Sequence, residues 1–248
     1  MKTPALLLVI ILSTFNLFSQ TPTEVTIRTL AKDAKFIGTG MGGLSVEIKD
    51  SETNEVISTG MIKGATGNTG MILADSIGRY QQKANSESAK FTTILNLSKP
   101  QKIAVTVKGP LSLAAKNQIT VSEEFWVIPG INTSNEGFTL ELDGFAVTAN
   151  SPEKIDDNSY TLKMNTVMMC GCPITSGGFW NADKMEATAM IYRNGEIIEK
   201  VKMGPGVEKN TFTGTWKPKD KGLYIIYYTL YDPRNNNTGV DETSFSIN

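Results

Sequence analysis

The chain contains no histidine. That absence removes the commonest general base, the Ser-His and Cys-His nucleophile pairs, and every zinc, copper or iron site built on imidazole. Cysteine is almost absent too: there are two, Cys170 and Cys172, with only Gly171 between them. A disulfide-rich scaffold is thereby excluded, as are a thioredoxin-type C-x-x-C and a four-cysteine zinc site. Charge of one sign is lacking as well, since 24 Lys and Arg face 25 Asp and Glu with no basic cluster. The scattered lysines give no footprint for nucleic acid or an anionic membrane, so no nucleic-acid partner is expected. Long apolar runs are confined to residues 6–12 (LLLVIIL), too short and too near the start for a bilayer span.

That one run has the form of a secretory signal. Lys2 is a minimal charged region, 6–12 is the apolar region, and the polar pair Ser19-Gln20 suits cleavage after Ser19. The junction resembles bacterial export signals, which implies a secreted protein, periplasmic or extracellular. No cysteine stands at the cleavage region, so no lipid anchor is expected. Residues 1–19 are therefore read as a signal peptide, followed by a mature chain of about 230 residues, enough for one large domain or two smaller ones.

What is present is strand material. Residues 24–29, 44–49, 55–61, 91–97, 102–108, 123–128 and 138–142 alternate polar with apolar or β-branched residues between glycine, proline and polar turns. They predict a first β-sandwich over 20–148, with 75–88 as the one stretch suited to a short helix. A boundary is expected at Ser151-Pro152, with the second domain spanning 149–248. There 160–169, 186–193, 197–203, 211–216, 223–231 and 243–247 follow at the regular spacing of an all-β sandwich. Asn194-Gly195 is a two-residue hairpin turn, because both residues tolerate positive φ.

Two resemblances follow from these stretches. The unit SVEIKDSETNEVISTGM, 45–61, resembles the strand-turn-strand of secreted transthyretin-like or carboxypeptidase-regulatory-like β-modules. Asp220-Lys-Gly222-Leu-Tyr224 is similar to the tyrosine corner of immunoglobulin-like domains. Tyr224 matches the family's tyrosine, which implies a hydroxyl bonded back across a strand corner. Ile226 stands where antibody domains carry a cysteine, so the resemblance is to bacterial Ig-like modules without an inter-sheet disulfide. The fold class expected is all-β, two β-sandwich domains, the second immunoglobulin-like.

The chemistry concentrates in 161–180, TLKMNTVMMCGCPITSGGFW. Read as an extended strand, one face carries Tyr160, Leu162, Met164, Thr166, Met168, Cys170 and Cys172, and its end finishes in three sulfur atoms. Gly171 and Pro173 then interrupt it. Two thiolates with one or two thioethers form a soft ligand set suited to Cu(I), with Met168, Met169, Cys170 and Cys172 as candidate ligands. The alternative is structural: methionine as core filler, and the two cysteines as core residues or a strained disulfide in an adhesive or surface module.

Other constellations carry less. The glycine loop 38–43 (GTGMGG) leads into a strand rather than a helix, so it is a turn and no dinucleotide fingerprint. Asp232, Asn235, Asn236, Asn237 and Asp241 crowd oxygens into one loop, without the spacing of an EF-hand. Trp126, Trp180 and Trp216 lie in or beside apolar strands and are expected in the core. The pairs Glu123-Glu124 and Asp156-Asp157 point to opposite faces of their strands, which makes them poor acid/base partners. The reading is a non-enzymatic binding protein.

Overall fold

A computed structural model describes residues 20–74 and 78–247. The expected signal peptide, 1–19, lies outside the described residues. The architecture is all-β.

The first half forms two sheets. β1 (Thr21–Ala31) is followed by β2 (Leu44–Asp50) and β3 (Val56–Ile62), a hairpin around the polar turn that the sequence marks. A single turn of helix, α1 (Thr69–Leu73), is capped by the Asn68 side chain accepting from Met71 N–H. It precedes the stretch expected to be helical, and the described residues of 75–88 contain no helix. β4 (Phe91–Leu97), β5 (Gln101–Gly109), β6 (Ile119–Val127) and β7 (Phe138–Leu142) complete the set. β1 lies between β4, antiparallel, and β7, parallel, while β3-β2-β5-β6 form a four-stranded antiparallel sheet. Alternation decides what is buried: Val46 and Ile48 on β2 and Ile103, Val105 and Val107 on β5 face inward, against Val25 and Ile27 of β1 in one continuous core.

The second half is built on one large sheet. Its strands are β8 (Phe145–Ala149), β9 (Glu153–Asp156), β10 (Ser159–Met168), β13 (Glu186–Arg193), β14 (Glu196–Pro205), β15 (Thr211–Trp216), β16 (Gly222–Asp232) and β17 (Asn237–Ile247). Between β10 and β13, the short β11 (Ile174–Thr175) and β12 (Trp180–Asn181) pair in parallel. The order is β17-β16-β13-β14-β15-β10-β8, with β9 beside the start of β10. β14 pairs with β13 over most of its length and with β15 at its end, which makes one continuous sheet of the two sets of strands. β8, which precedes the expected boundary at 149, pairs with β10.

The sheet nearly closes on itself. β8 comes against β17 so closely that a Cβ on Gly239 would stand 2.7 Å from the Cβ of Phe145. Side chains rather than a backbone ladder stitch this seam. Asn237, fully buried, accepts from Gly144 N–H at 2.6 Å and donates to Gly144 C=O at 3.1 Å, and Asp241 accepts from Ala149 N–H at 2.8 Å. The Asn194-Gly195 hairpin forms with φ of 53° and 84°. The tyrosine corner forms as well: Tyr224 OH donates to Asp220 C=O, and its ring meets Trp216 edge-on at 4.9 Å. Trp216 and Trp180 are buried as expected, but Trp126 is 62% exposed, because on the outermost strand β6 its side chain falls on the solvent face.

Candidate functional site

The chain does not run extended through Cys172. β10 ends at Met168 and the backbone reverses at once: Gly171 N–H donates to Met168 C=O at 2.7 Å, Met168 N–H donates to Cys172 C=O at 3.0 Å, and Val167 bridges Pro173 antiparallel. This is a hairpin with a three-residue loop, Met169-Cys170-Gly171, closed by a left-handed residue. Gly171 is that residue, with φ +83°. The returning arm is tied down by Asn210, whose side chain accepts from Ile174 N–H at 2.9 Å and whose own N–H donates to Ile174 C=O at 3.3 Å. The extended reading fails here because apolar alternation continues to Met168 and then into residues that are equally apolar. The glycine two residues ahead of Pro173 was the available signal of a reversal.

The turn faces the two thiols toward each other. Cys170 Sγ and Cys172 Sγ lie 2.6 Å apart, where a disulfide would require about 2.05 Å, and both cysteines are free. Exposure is 3% for Cys170 and 6% for Cys172, although Gly171 and Pro173 on either side of Cys172 reach solvent. Above the sulfurs lies the loop that leaves β1. The main chain and the ammonium of Lys35, on that loop, both favour the anion of Cys170. The loop is itself held in place, since Trp180 Nε1–H donates to Asp33 C=O at 2.8 Å and Asn235 Nδ2 donates to Asp33 Oδ2 at 3.3 Å.

These contacts make the two thiols unequal. The hydrogen bond with Cys172 brings the Cys170 pKa down to about 7; burial opposes this, and the main chains of Lys35 and Cys172 reinforce it. Cys172 is pushed up by the same hydrogen bond, by burial and by the charge on Cys170. The pair therefore keeps one proton on Cys172 and presents one sulfur, Cys170, as the anion.

The methionines divide. Met168 is the buried end of β10, at 1% exposure, and Met169 is equally buried with its methyl seated on Gly144, 2.6 Å from where a Cβ would stand. A third methionine arrives from the other half of the chain. Met41, within the glycine loop 38–43, places its Sδ 3.0 Å from the position of a Cβ on Gly171. Sequence reasoning found the thiols and treated the glycine loop only as a turn. Neither Met41 nor Lys35 carries a local signal, because both reach the site through topology.

The oxygen-rich loop is occupied by the protein's own contacts. Asp232 forms a fork with Arg234 at 2.6 and 2.8 Å, and Asn237 is committed to Gly144. Among the described residues no cluster of three or more carboxylate, cysteine or histidine side chains is assembled, and no helix is long and apolar enough to cross a membrane.

No protein family and no curated protein matches the chain. Among solved structures, a DUF3823 family protein from Bacteroides uniformis is similar with 9% identity and a TM-score of 0.30, over 91% of this chain and 100% of that one. The β-glucuronidase of Parabacteroides merdae is similar with 10% identity and a TM-score of 0.25; the match covers 90% of this chain and 25% of the enzyme.

Proposed function

We propose that this chain is a secreted, non-enzymatic binding protein that holds a soft monovalent metal ion, Cu(I), between Cys170 and Cys172. The observation that carries the reading is the thiol pair itself: two buried sulfurs brought face to face by a left-handed glycine. A buried pair of cysteine sulfurs suits a soft cation better than a hard one. Metal uptake parts the sulfurs from 2.6 Å, which rotation about the two cysteine side chains accomplishes while the hairpin stays closed. Met168 and Met169 line the apolar side of the site in this reading. The body is read as a transthyretin-like module followed by an Ig-like one; strand order and the bond from Tyr224 to Asp220 support the second.

A second reading rests on the same distance. At 2.6 Å the sulfurs are nearer to a covalent bond than to the spacing of two metal ligands. In an oxidising compartment they would close a staple in a structural or adhesive surface module.

Intact mass of the mature protein, exported to an oxidising compartment and handled without reductant, separates the two. A full-hydrogen mass that gains one copper from Cu(I), with the gain lost in Cys170→Ser, supports the metal reading. A mass lighter by two hydrogens that ignores Cu(I) replaces it with the staple.

A further inference from the structure

We infer that Met41 is the third sulfur of this site, so that a bound Cu(I) ion joins the two halves of the chain. The inference rests on the thiol reading above and adds a ligand from a segment 129 residues away from Cys170 in sequence.

Three features place Met41 there. First, its backbone is fixed. The single helical turn Thr39–Met41 is closed by Gly42 N–H donating to Thr39 C=O at 2.9 Å and Gly43 N–H donating to Gly38 C=O at 3.1 Å. Ser112 N–H then donates to Met41 C=O at 3.1 Å, which locks the turn to the segment after β5. Second, its thioether ends on Gly171, the residue between the two thiols, with Sδ and Cγ at 3.0 and 3.1 Å from the position of a Cβ. Any side chain at 171 would lie between Met41 and the turn. Third, Met41 is only partly buried, whereas Met164, Met168, Met169 and Met203 are between 0% and 3% exposed. It lines a groove of about 370 Å³ between the halves, with Leu113, Ala146, Asn165, Val167 and Asn210 along its walls. Met41 thus has a solvent-facing side that the buried methionines lack.

The chemistry agrees with the placement. Binding releases the proton held on Cys172 to solvent, so that two thiolates and a monovalent cation leave one net negative charge, and a neutral thioether completes a three-sulfur set without adding to it. Methionine's unbranched chain lets the sulfur swing toward the thiols as they part, while its backbone stays fixed.

The test is an anaerobic Cu(I) titration of the reduced, full mature chain against a chromophoric Cu(I) chelator. It is paired with NMR of protein carrying 13C-labelled methionine methyl groups. The expected result is that Met41→Leu weakens Cu(I) binding by about tenfold or more, Met203→Leu, on β14, leaves it unchanged, and the Met41 methyl resonance shifts on metal addition while that of Met203 does not. Wild-type binding that survives Met41→Leu undiminished, with a Met41 methyl that does not move, overturns the inference and leaves the thiol site standing. Failure of wild type to bind Cu(I), or equal binding by Cys170→Ser, removes the thiol site and the inference with it.

Discussion

Replacing Gly171 with alanine tests how the sulfur turn is held. Two separate costs meet at this position. The backbone sits at φ +83°, where an L-residue with a Cβ is disfavoured by about 1–2 kcal/mol. The added Cβ would also stand 3.0 Å from Met41 Sδ and 3.1 Å from its Cγ, so the thioether must shift. Because the obstacle is the flexible end of a side chain, that displacement adds about 0.5–1.5 kcal/mol. The total of about 1.5–3.5 kcal/mol corresponds to a fall in melting temperature of roughly 3–14 °C for a chain of this size. A control comes from the same molecule: Gly177 has φ +66° and open space where its Cβ would be, so Gly177→Ala reports the backbone term alone. Thermal or urea unfolding of the reduced, metal-free protein is measured for Gly171→Ala, Gly177→Ala and Met41→Ala, and for Gly171→Ala combined with Met41→Ala. The Gly171 substitution should cost more than the Gly177 one in the wild-type background and about the same once Met41 is truncated. A cost at 171 that is no larger than at 177, or unchanged by truncating Met41, would refute the packing of Met41 on this turn.

Three further outcomes are expected. Tyr224→Phe removes the hydroxyl that donates to Asp220 C=O but keeps the ring on Trp216, so stability should fall by about 1–2 kcal/mol in urea unfolding; an unchanged midpoint would show the corner to be idle. Asn237→Ala deprives both main-chain groups of Gly144 of their buried partner and should cost about 2–5 kcal/mol, with faster amide exchange along β8 and the first half of β17. Burial works against the Asp232 carboxylate, yet the Arg234 fork and N–H outweigh it and hold its pKa below the usual range. With the folded pKa below the unfolded one, this stabilisation is complete above about pH 4 and is lost as pH falls through the lower, folded value. Asp232→Asn should therefore flatten the acid limb of the stability–pH curve, and a limb identical to wild type would contradict this.

Much of the fold was legible because two-residue alternation is a strong signal when one face of a strand is buried. β2, β5, β10 and β16 all show it, and the Asn194-Gly195 turn and the Tyr224 corner are local chemistry that the sequence states outright. The failures have physical causes. Trp126 looked like core because Phe125, Val127 and Ile128 beside it are apolar, yet β6 ends its sheet and leaves that face uncovered. At the site, the thiols were visible and the reversal between them was not. What makes their surroundings distinctive, Lys35 favouring the anion of one sulfur and Met41 against the intervening glycine, depends on where the first half of the chain is set down. No periodicity within 161–180 encodes that.

The seam between β8 and β17 also governs how the chain meets other copies of itself. A sheet with open edges offers rows of unpaired N–H and C=O groups on which a foreign strand can grow. Here the first and last strands of one sheet cover each other, with Asn237 and Asp241 supplying bonds that a ladder would otherwise make. Residues 242–247 extend past the stretch of β17 stitched to β8, and they carry Glu242 among serine and threonine. The seam thus acts as a guard against fibre growth. Opening it uncovers two template strands together, so a lesion at Asn237 would be felt in solubility before the loss of folded structure becomes visible.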